Sequence, residues 1–470
     1  MKKRPNKIRI ASFFLSFFVV LFPESFLFAA TNTFLVSNPG TTLQTWTVPS
    51  DWSNSNNQVA CIGAGGKGAD STTAALGGGG GGGGGAYASS SNIILVSGAS
   101  ISYFIGAEAT STGPASAIRA SETWFNSTAS STATISCAFG KPGMMTATST
   151  GGSIANSTGT TKYAGGSGGY RAGGTLGGGG GGGSAGIYGA GKDGSGGHPT
   201  YAGGNGGGGS NGRSSTVGSI SASNFTGGAG GAGTSGTGGG AGGTNTVGDE
   251  DGHVGTDGGG GGGGRGRSTS NTSVGDGGSG GLDTSFDATH GAGGGGGGGG
   301  AQTSTASSYT HVGGFGGTYG GGGGGGGRHP TAVQIGGTGG QGLIFITYTG
   351  IVPGTMSAPI FSTVSYTSLT VLWTATTTAD TYNIERCAGV GCSSFSTIAT
   401  GIDGAENHYD DSGLTAGETY TYKIWGTNPT GDGIHSAGGT IRALPSTDTP
   451  ITRTIRLRGN VRLRNNVRLR

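Results

Sequence analysis

The residues best equipped for chemistry in this chain are four cysteines, seven histidines, and a few acids and serines set among 116 glycines. Cys387 and Cys392 lie five apart in CAGVGC, and Cys61 and Cys137 each close a run of β-forming residues. A structural zinc site needs a second close pair or neighbouring histidines, and neither is present. The spacing instead predicts disulfides, one closing a hairpin between Cys387 and Cys392 and one joining two strands through Cys61 and Cys137. The histidines (His198, His253, His290, His311, His329, His408, His435) are widely scattered, with no H-x₃-H pair. GGSGG at 165–169 and 277–281 formally satisfies G-x-S-x-G, but a nucleophile elbow sits between a strand and a helix. Only glycine-rich sequence flanks these serines. GIYGAGKD (186–193) is one residue from a phosphate loop, yet Asp193 stands where a hydroxyl should hold the metal, and it would repel phosphate. GDEDGHVGTD gathers Asp249, Glu250, Asp251 and Asp257 without EF-hand spacing, and reads as a solvated acidic loop. With no paired carboxylates and no Ser/His/Asp set, the expectation is a non-enzymatic protein with no catalytic, cofactor or metal site.

The termini indicate where such a chain would work. Five basic residues within the first nine precede the apolar run IASFFLSFFVVL at 10–21, and Ala29 and Ala30 follow. Twelve residues are too few to span a bilayer, so 1–30 reads as a cleaved export signal, with an uncleaved anchor as the lesser alternative. No other segment is long and apolar enough to span. The expected location is therefore secreted, at the cell surface, which suits the disulfides. The formal charge is +3. The signal contributes five bases and one acid, and the last twenty residues hold seven arginines and no acid, so 31–450 carries eight more acids than bases. An acidic body with a basic tail is not a nucleic-acid-binding distribution.

Between 61 and 345 lie 101 of the 116 glycines, with no strict G-X-Y period. Runs of nine, seven, seven, eight and eight occur at 77–85, 177–183, 258–264, 293–300 and 320–327. Strand-like stretches frame them: LQTWTVP (43–49), QVACIG (58–63), NIILVSGASISYFIG (92–106), ATISCAFG (133–140) and GLIFITYTG (342–350). A flexible linker has no need of strands at both ends or of tracts of matched length. Glycine can instead form the extended threefold helix, with ~3.1 Å rise and no internal hydrogen bonds, so that neighbouring copies bond to one another. At that rise the tracts span roughly 22–28 Å. The reading is an all-β chain: a glycine-rich, β-sandwich or jelly-roll-like domain carrying a polyglycine II bundle, then a second β-sandwich.

Two resemblances support that division. TLQTWTVPSDW, QVACIGAGGKGAD, the nine-glycine run with its GGAY ending, and GGTGGQGLIFITYTG resemble the bacterial and phage glycine-rich domain over about 31–350. Related modules occur in tip adhesins of T-even-like phages and in the ectodomain of anaplastic lymphoma kinase. The resemblance implies polyglycine II helices packed on a β framework and used for receptor or ligand binding. Residues 351–446 resemble a fibronectin type III domain. LTVLWTA sets Trp373 at that family's core tryptophan, DTYNIERC puts Tyr382 on an alternating strand, and GLTAGETYTYKIWG places Leu414 and Tyr420 at the tyrosine corner.

Residues 447–470 form a tail in which IRLRGN, VRLRNN and VRLR repeat every six residues. As strands they would segregate Arg456, Arg458, Arg462, Arg464, Arg468 and Arg470 from the aliphatic residues, and a disordered cationic tail is the alternative. LPSTD (444–448) lacks the glycine of a cell-wall sorting signal and reads as a linker. The tail suits an anionic envelope polymer or the acidic body. Recognition residues are expected where glycine tracts end: Tyr87, Tyr188, Arg265, Arg267, Arg328 and His329, which suit a cell-surface glycan or protein. The expected function is a secreted or surface-displayed structural or adhesion protein with the fibronectin type III domain as spacer. The alternative is a carbohydrate-targeting accessory of a secreted polysaccharide-processing system.

Overall fold

A computed structural model describes residues 30–446, apart from 36–38, 74–76, 109–120, 146, 171–176, 199–201, 210–226, 228, 233–238, 245–249, 267–273, 282–291 and 303–310. Almost all of the expected export signal, together with Arg267 and the arginine tail, lies outside the described residues. No helix among the described residues is long and apolar enough to cross a membrane.

Nine strands build the N-terminal framework. Strands β1 (Ala30–Leu35), β3 (Asn57–Ile62), β4 (Tyr87–Ser91), β8 (Thr161–Tyr163) and β9 (Leu343–Thr349) form one antiparallel sheet in the order β1-β9-β3-β4-β8. Strands β2 (Gln44–Thr47), β5 (Ser100–Phe104), β6 (Thr123–Phe125) and β7 (Ile135–Cys137) form the second, in chain order. The alternation of β3 and β9 explains both faces of the larger sheet. Val59, Ile344 and Ile346 point into a core shared with Ile101, Tyr103, Phe125 and Ile135 of the smaller sheet. Ala60, Ile62 and Leu343, one residue out of phase, pack with Ala185 and Ala292 at the edge of the glycine region. The Cys61–Cys137 disulfide ties the two sheets together.

The stretch expected as one strand over 92–106 is broken. Asn92 and Gly98 have φ of 56° and 75°, so residues 92–98 turn before β5 begins, leaving Ile94 and Val96 exposed. Strands β4 and β6 were not foreseen. YASSS and TWF are too short or too polar to alternate visibly, and register with their neighbours makes them strands.

All five glycine tracts are buried and lie outside helices and strands. Their backbone bonds run with a period of three. Gly79, Gly82 and Gly85 donate N–H to Gly326, Gly323 and Gly320, at 2.8, 2.8 and 2.7 Å, with the two tracts antiparallel. The carbonyls of the same three residues accept from Gly179, Gly182 and Ala185, so the tract at 177–183 runs parallel. Gly81 and Gly84 donate to Gly169 and Gly166, and the carbonyls of Gly80 and Gly83 accept from Ala69 and Gly66. Each tract thus uses three faces to satisfy its neighbours, which removes the main cost of burying bare backbone. The contact is too close for any side chain. A Cβ at Gly81, Gly82 or Gly325 would lie 2.1, 2.0 or 2.1 Å from a carbonyl oxygen of the adjacent segment. Three tracts open on a left-handed glycine, Gly77, Gly258 and Gly320, where the chain turns into the lattice.

Shorter segments complete this lattice and show a local G-G-X period that the chain-wide composition hides. In 312–318 and 335–341, Val312, Phe315 and Thr318, and Ile335, Thr338 and Gln341, fall every third residue. Glycines between them bond inward, as Gly314 does to Gly297 and Gly337 to Gly324.

The C-terminal unit is a second β-sandwich. Strands β10 (Ile360–Ser362), β11 (Ser368–Leu372) and β14 (His408–Ser412) form one antiparallel sheet, in the order β10-β11-β14. Strands β12 (Thr381–Ala388), β13 (Ser396–Asp403) and β15 (Thr419–Asn428) form the other, with β16 (Gly431–Asp432) and β17 (Gly439–Arg442) both paired to β15. Trp373, Tyr382, Leu414 and Tyr420 are all buried in its core with Val371, Ile384, Tyr422 and Ile424. The Tyr420 hydroxyl accepts from Thr415 N–H at 2.8 Å, the hydrogen bond that defines a tyrosine corner. Three strands facing a sheet centred on β12 and β15, with this corner, make the unit fibronectin type III-like.

The two units are bolted together just after β9. Asp51 accepts from Tyr348 Oη at 3.0 Å and from Thr430 Oγ1 at 2.6 Å. Asn428 donates its side-chain amide to the carbonyls of Ile351 and Thr378.

Candidate functional site

A groove of about 700 Å³ opens where the smaller sheet meets the glycine lattice. That volume falls in the range of small-ligand sites. Glu122 precedes β6 and Phe139 follows β7, so the sheet and the Cys61–Cys137 disulfide hold both at the groove wall. Lys141 lies two residues on, where the chain enters the lattice through the bond from Gly83 N–H to its carbonyl. The opposite wall is the short turn Ile154–Asn156. Ser153 Oγ accepts from Ala155 N–H, and Ser157 Oγ donates to Ser153 O while accepting from Ala138 N–H, fixing this turn to the end of β7. Bare backbone at Gly151, Gly152 and Gly165 forms part of the lining. A Cβ at Gly152 would strike Ala138 O at 2.3 Å, so glycine also keeps this wall in place.

Glu122 and Lys141 both line the groove, and neither makes an ion pair among the described residues. With Phe139 and the Ser153 and Ser167 hydroxyls, the wall combines an aromatic face, an anion, a cation and neutral donors. This suits a polar ligand with an apolar face. Glu122, Phe139 and Lys141 were not foreseen. The signal available was the AFGKPG turn after Cys137, but nothing in sequence brings it beside Glu122 and Ser153.

The expected recognition residues divide between the two ends of the lattice. Tyr87 lies at the end nearest the sheets, only 2% exposed, stacked on Tyr163 with ring centroids 6.1 Å apart. Burial raises its phenol pKa above the ordinary range, against a lowering by a hydrogen bond with Ser89. It seals the interface between sheet and lattice and has no face for a ligand. Tyr188 is partly exposed in a turn at the same end. Arg265, Arg328 and His329 lie at the far end. Gln302 N–H donates to Arg328 O, Arg265 N–H donates to Glu250 O, and the His329 ring stacks on His311 at 5.3 Å. Arg265 and His329 are buried, and His329 Nδ1 accepts from the N–H groups of Thr331 and Ala332. These two side chains close off the lattice end; they do not project from it, because exposed glycine backbone there would otherwise be unsatisfied. Cys387 and Cys392 are bonded, as are Cys61 and Cys137.

No protein-family model matches the chain, and no curated protein is similar to it in sequence. Similar solved structures cover about a fifth of it. A fibronectin type III domain of human fibronectin type III domain containing protein 3 is 16% identical over 22% of this chain and 94% of its own, with a TM-score of 0.19. The sixth such domain of the same protein is 21% identical over 21% of this chain and 91% of its own, at 0.18. The FN1-FN3 domains of chicken CNTN1 are 20% identical over 20% of this chain and 33% of their own, at 0.19.

Proposed function

We propose that the chain is a secreted or cell-surface adhesion or structural protein without enzymatic activity. In this reading the glycine region is a polyglycine II bundle, the fibronectin type III-like unit is a fixed spacer, and the groove beside Phe139 holds a surface glycan or protein segment. The period-three hydrogen bonding among the tracts carries the reading. It makes a rigid platform from residues that offer no side chains for chemistry, which suits display better than catalysis. The two disulfides fit an oxidising compartment. One observation favours the accessory reading: an aromatic ring beside a carboxylate and hydroxyls is a common way to hold a sugar, whose C–H face stacks on the ring. Binding of the intact chain to glycan arrays and to cell envelopes, with Phe139→Ala and Glu122→Gln alongside, tests both. Loss of binding in these variants with unchanged melting is expected. Equal binding by variants and parent would remove the groove from the proposal.

A further inference from the structure

Four segments on one side of the glycine lattice run parallel and in register. Gly252 and Gly255 donate to Asp276 O and Ser279 O, Gly277 and Gly280 to Val312 O and Phe315 O, and Gly313 and Gly316 to Ile335 O and Thr338 O. Every third position therefore aligns in rows, Asp251, Asp276, Val312 and Ile335 in one and Val254, Ser279, Phe315 and Thr338 in the next, with His253 an additional exposed side chain beside Val254. Successive rows lie ~9.3 Å apart, three residues of extended threefold helix. The result is a flat side-chain face on which Val254, Phe315 and Ile335 are 56, 58 and 59% exposed. Acids border them. Asp251 Oδ1 accepts from Asp276 N–H at 2.7 Å and Asp276 Oδ1 from Val312 N–H at 2.9 Å, while Asp70 Oδ1 accepts from Gly336 N–H at 2.9 Å and is already paired with Lys67 Nζ at 2.8 Å. An exposed apolar strip rimmed by acids marks an interaction surface.

The segment that complements it is the chain's own end. Outside the Gly459-Asn460 and Asn465-Asn466 pairs, residues 455–470 alternate in chemical character, with Ile455, Leu457, Val461, Leu463, Val467 and Leu469 at odd positions and the six arginines at even ones. In an extended chain one edge is aliphatic and the other cationic. We propose that this tail docks on the Val254–Phe315–Ile335 face of a second copy, aliphatic residues on the strip and arginines on the bordering aspartates, linking copies head to tail.

Geometry favours a second copy over the tail's own body. The lattice adjoins the Leu343 end of β9, and the C-terminal unit is fixed at the other end, ~23 Å away for seven residues. The last described residues pair near Thr419, the end of β15 away from the junction residue Asn428, ~33 Å along that strand for ten residues. The eight residues from 447 to 454 reach only ~26 Å when fully extended. A heterologous contact of this kind does not close on itself and builds open chains. The inference goes beyond the proposed function and does not depend on it, since a groove that binds nothing would leave this contact standing.

Sedimentation velocity on the full exported chain tests it. The expected result is concentration-dependent association that weakens about tenfold between low and high salt, because the arginine–aspartate contacts are exposed to screening. One variant replaces the six tail arginines by serine; another carries Phe315→Lys and Ile335→Lys, at outward positions where the lattice is untouched. Each alone should sediment as a monomer with unchanged melting, and an equimolar mixture should form a dimer, joining an intact tail to an intact face. A parent chain that stays monomeric at low salt overturns the proposal. So does association that survives either variant, or a mixture that fails to pair. Protection of the tail from trypsin in a monomer would place it on its own body and equally overturn it.

Discussion

The glycine lattice and the C-terminal sandwich solve the same problem by opposite means. Both must bury backbone without leaving N–H and C=O groups unsatisfied. The sandwich does so with ladders between strands and holds its sheets together by side chains such as Tyr382, Ile384 and Tyr422. The lattice bonds its tracts to neighbouring segments through the backbone and packs them too closely for side chains at most of their glycines. Hydrophobic burial dominates the first; hydrogen bonding and close backbone contact replace it in the second. The difference teaches that glycine, the residue most costly to order, builds a rigid body when many copies share that cost through mutual hydrogen bonds.

Substitutions should break the two regions differently. The largest effect is expected from Gly325→Ala combined with Gly82→Ala. The added methyls meet carbonyl oxygens at 2.1 and 2.0 Å, and the lattice can relieve this only by separating its segments. We expect more than about 5 kcal/mol, read as loss of the folded N-terminal unit in hydrogen exchange. An unchanged melt would show the lattice to be loosely held. Next, removing the disulfides should separate the units by loop length. Cys61–Cys137 closes 76 residues and should contribute about 4 kcal/mol, while Cys387–Cys392 closes five and should contribute about 2 kcal/mol. Chemical denaturation of Cys→Ser pairs checks the order.

In the sandwich, Ile384→Ala should cost about 3 kcal/mol, an ordinary core cavity. At the junction, burial and then the hydrogen bond to Asp51 push the Tyr348 phenol up to about 12. A folded-state value above the unfolded one means that this stabilisation is complete below about pH 10 and is lost as pH rises through about 12. Phenolate absorbance should follow several late-titrating tyrosines, of which Asp51→Asn brings the Tyr348 step down. The smallest effect belongs to the outward positions of the lattice: Phe315→Ala should change stability by less than about 0.5 kcal/mol. The inward pair of alanines and the single outward one would then differ by about tenfold in cost.

Much of this was legible beforehand. Both cysteine pairs, the five tracts and the core positions Trp373, Tyr382, Leu414 and Tyr420 could be read from residue type and spacing. So could the terminal strand at 342–350, because alternation, cysteine placement and tract length are local signals. The recognition residues were not. Tyr87 and Arg265 look like exposed loop ends when a tract is considered alone. Once neighbouring segments pack around it, they become buried seals. The Phe139 groove was hidden for the same reason, since its walls come from segments distant in sequence.

The sequence by itself determined that glycine segments must satisfy one another, because polyglycine has no side chains to bury and no internal hydrogen bonds in its extended helix. Trp373, Tyr382, Leu414 and Tyr420 also pointed to a β-sandwich for the C-terminal unit, through the resemblance to fibronectin type III domains. Tertiary structure alone decided which segment neighbours which. A tract of bare glycine offers only backbone donors and acceptors, so no tract encodes its partner. The strands that enter and leave the lattice fix the order, and the outward G-G-X positions set where it stops.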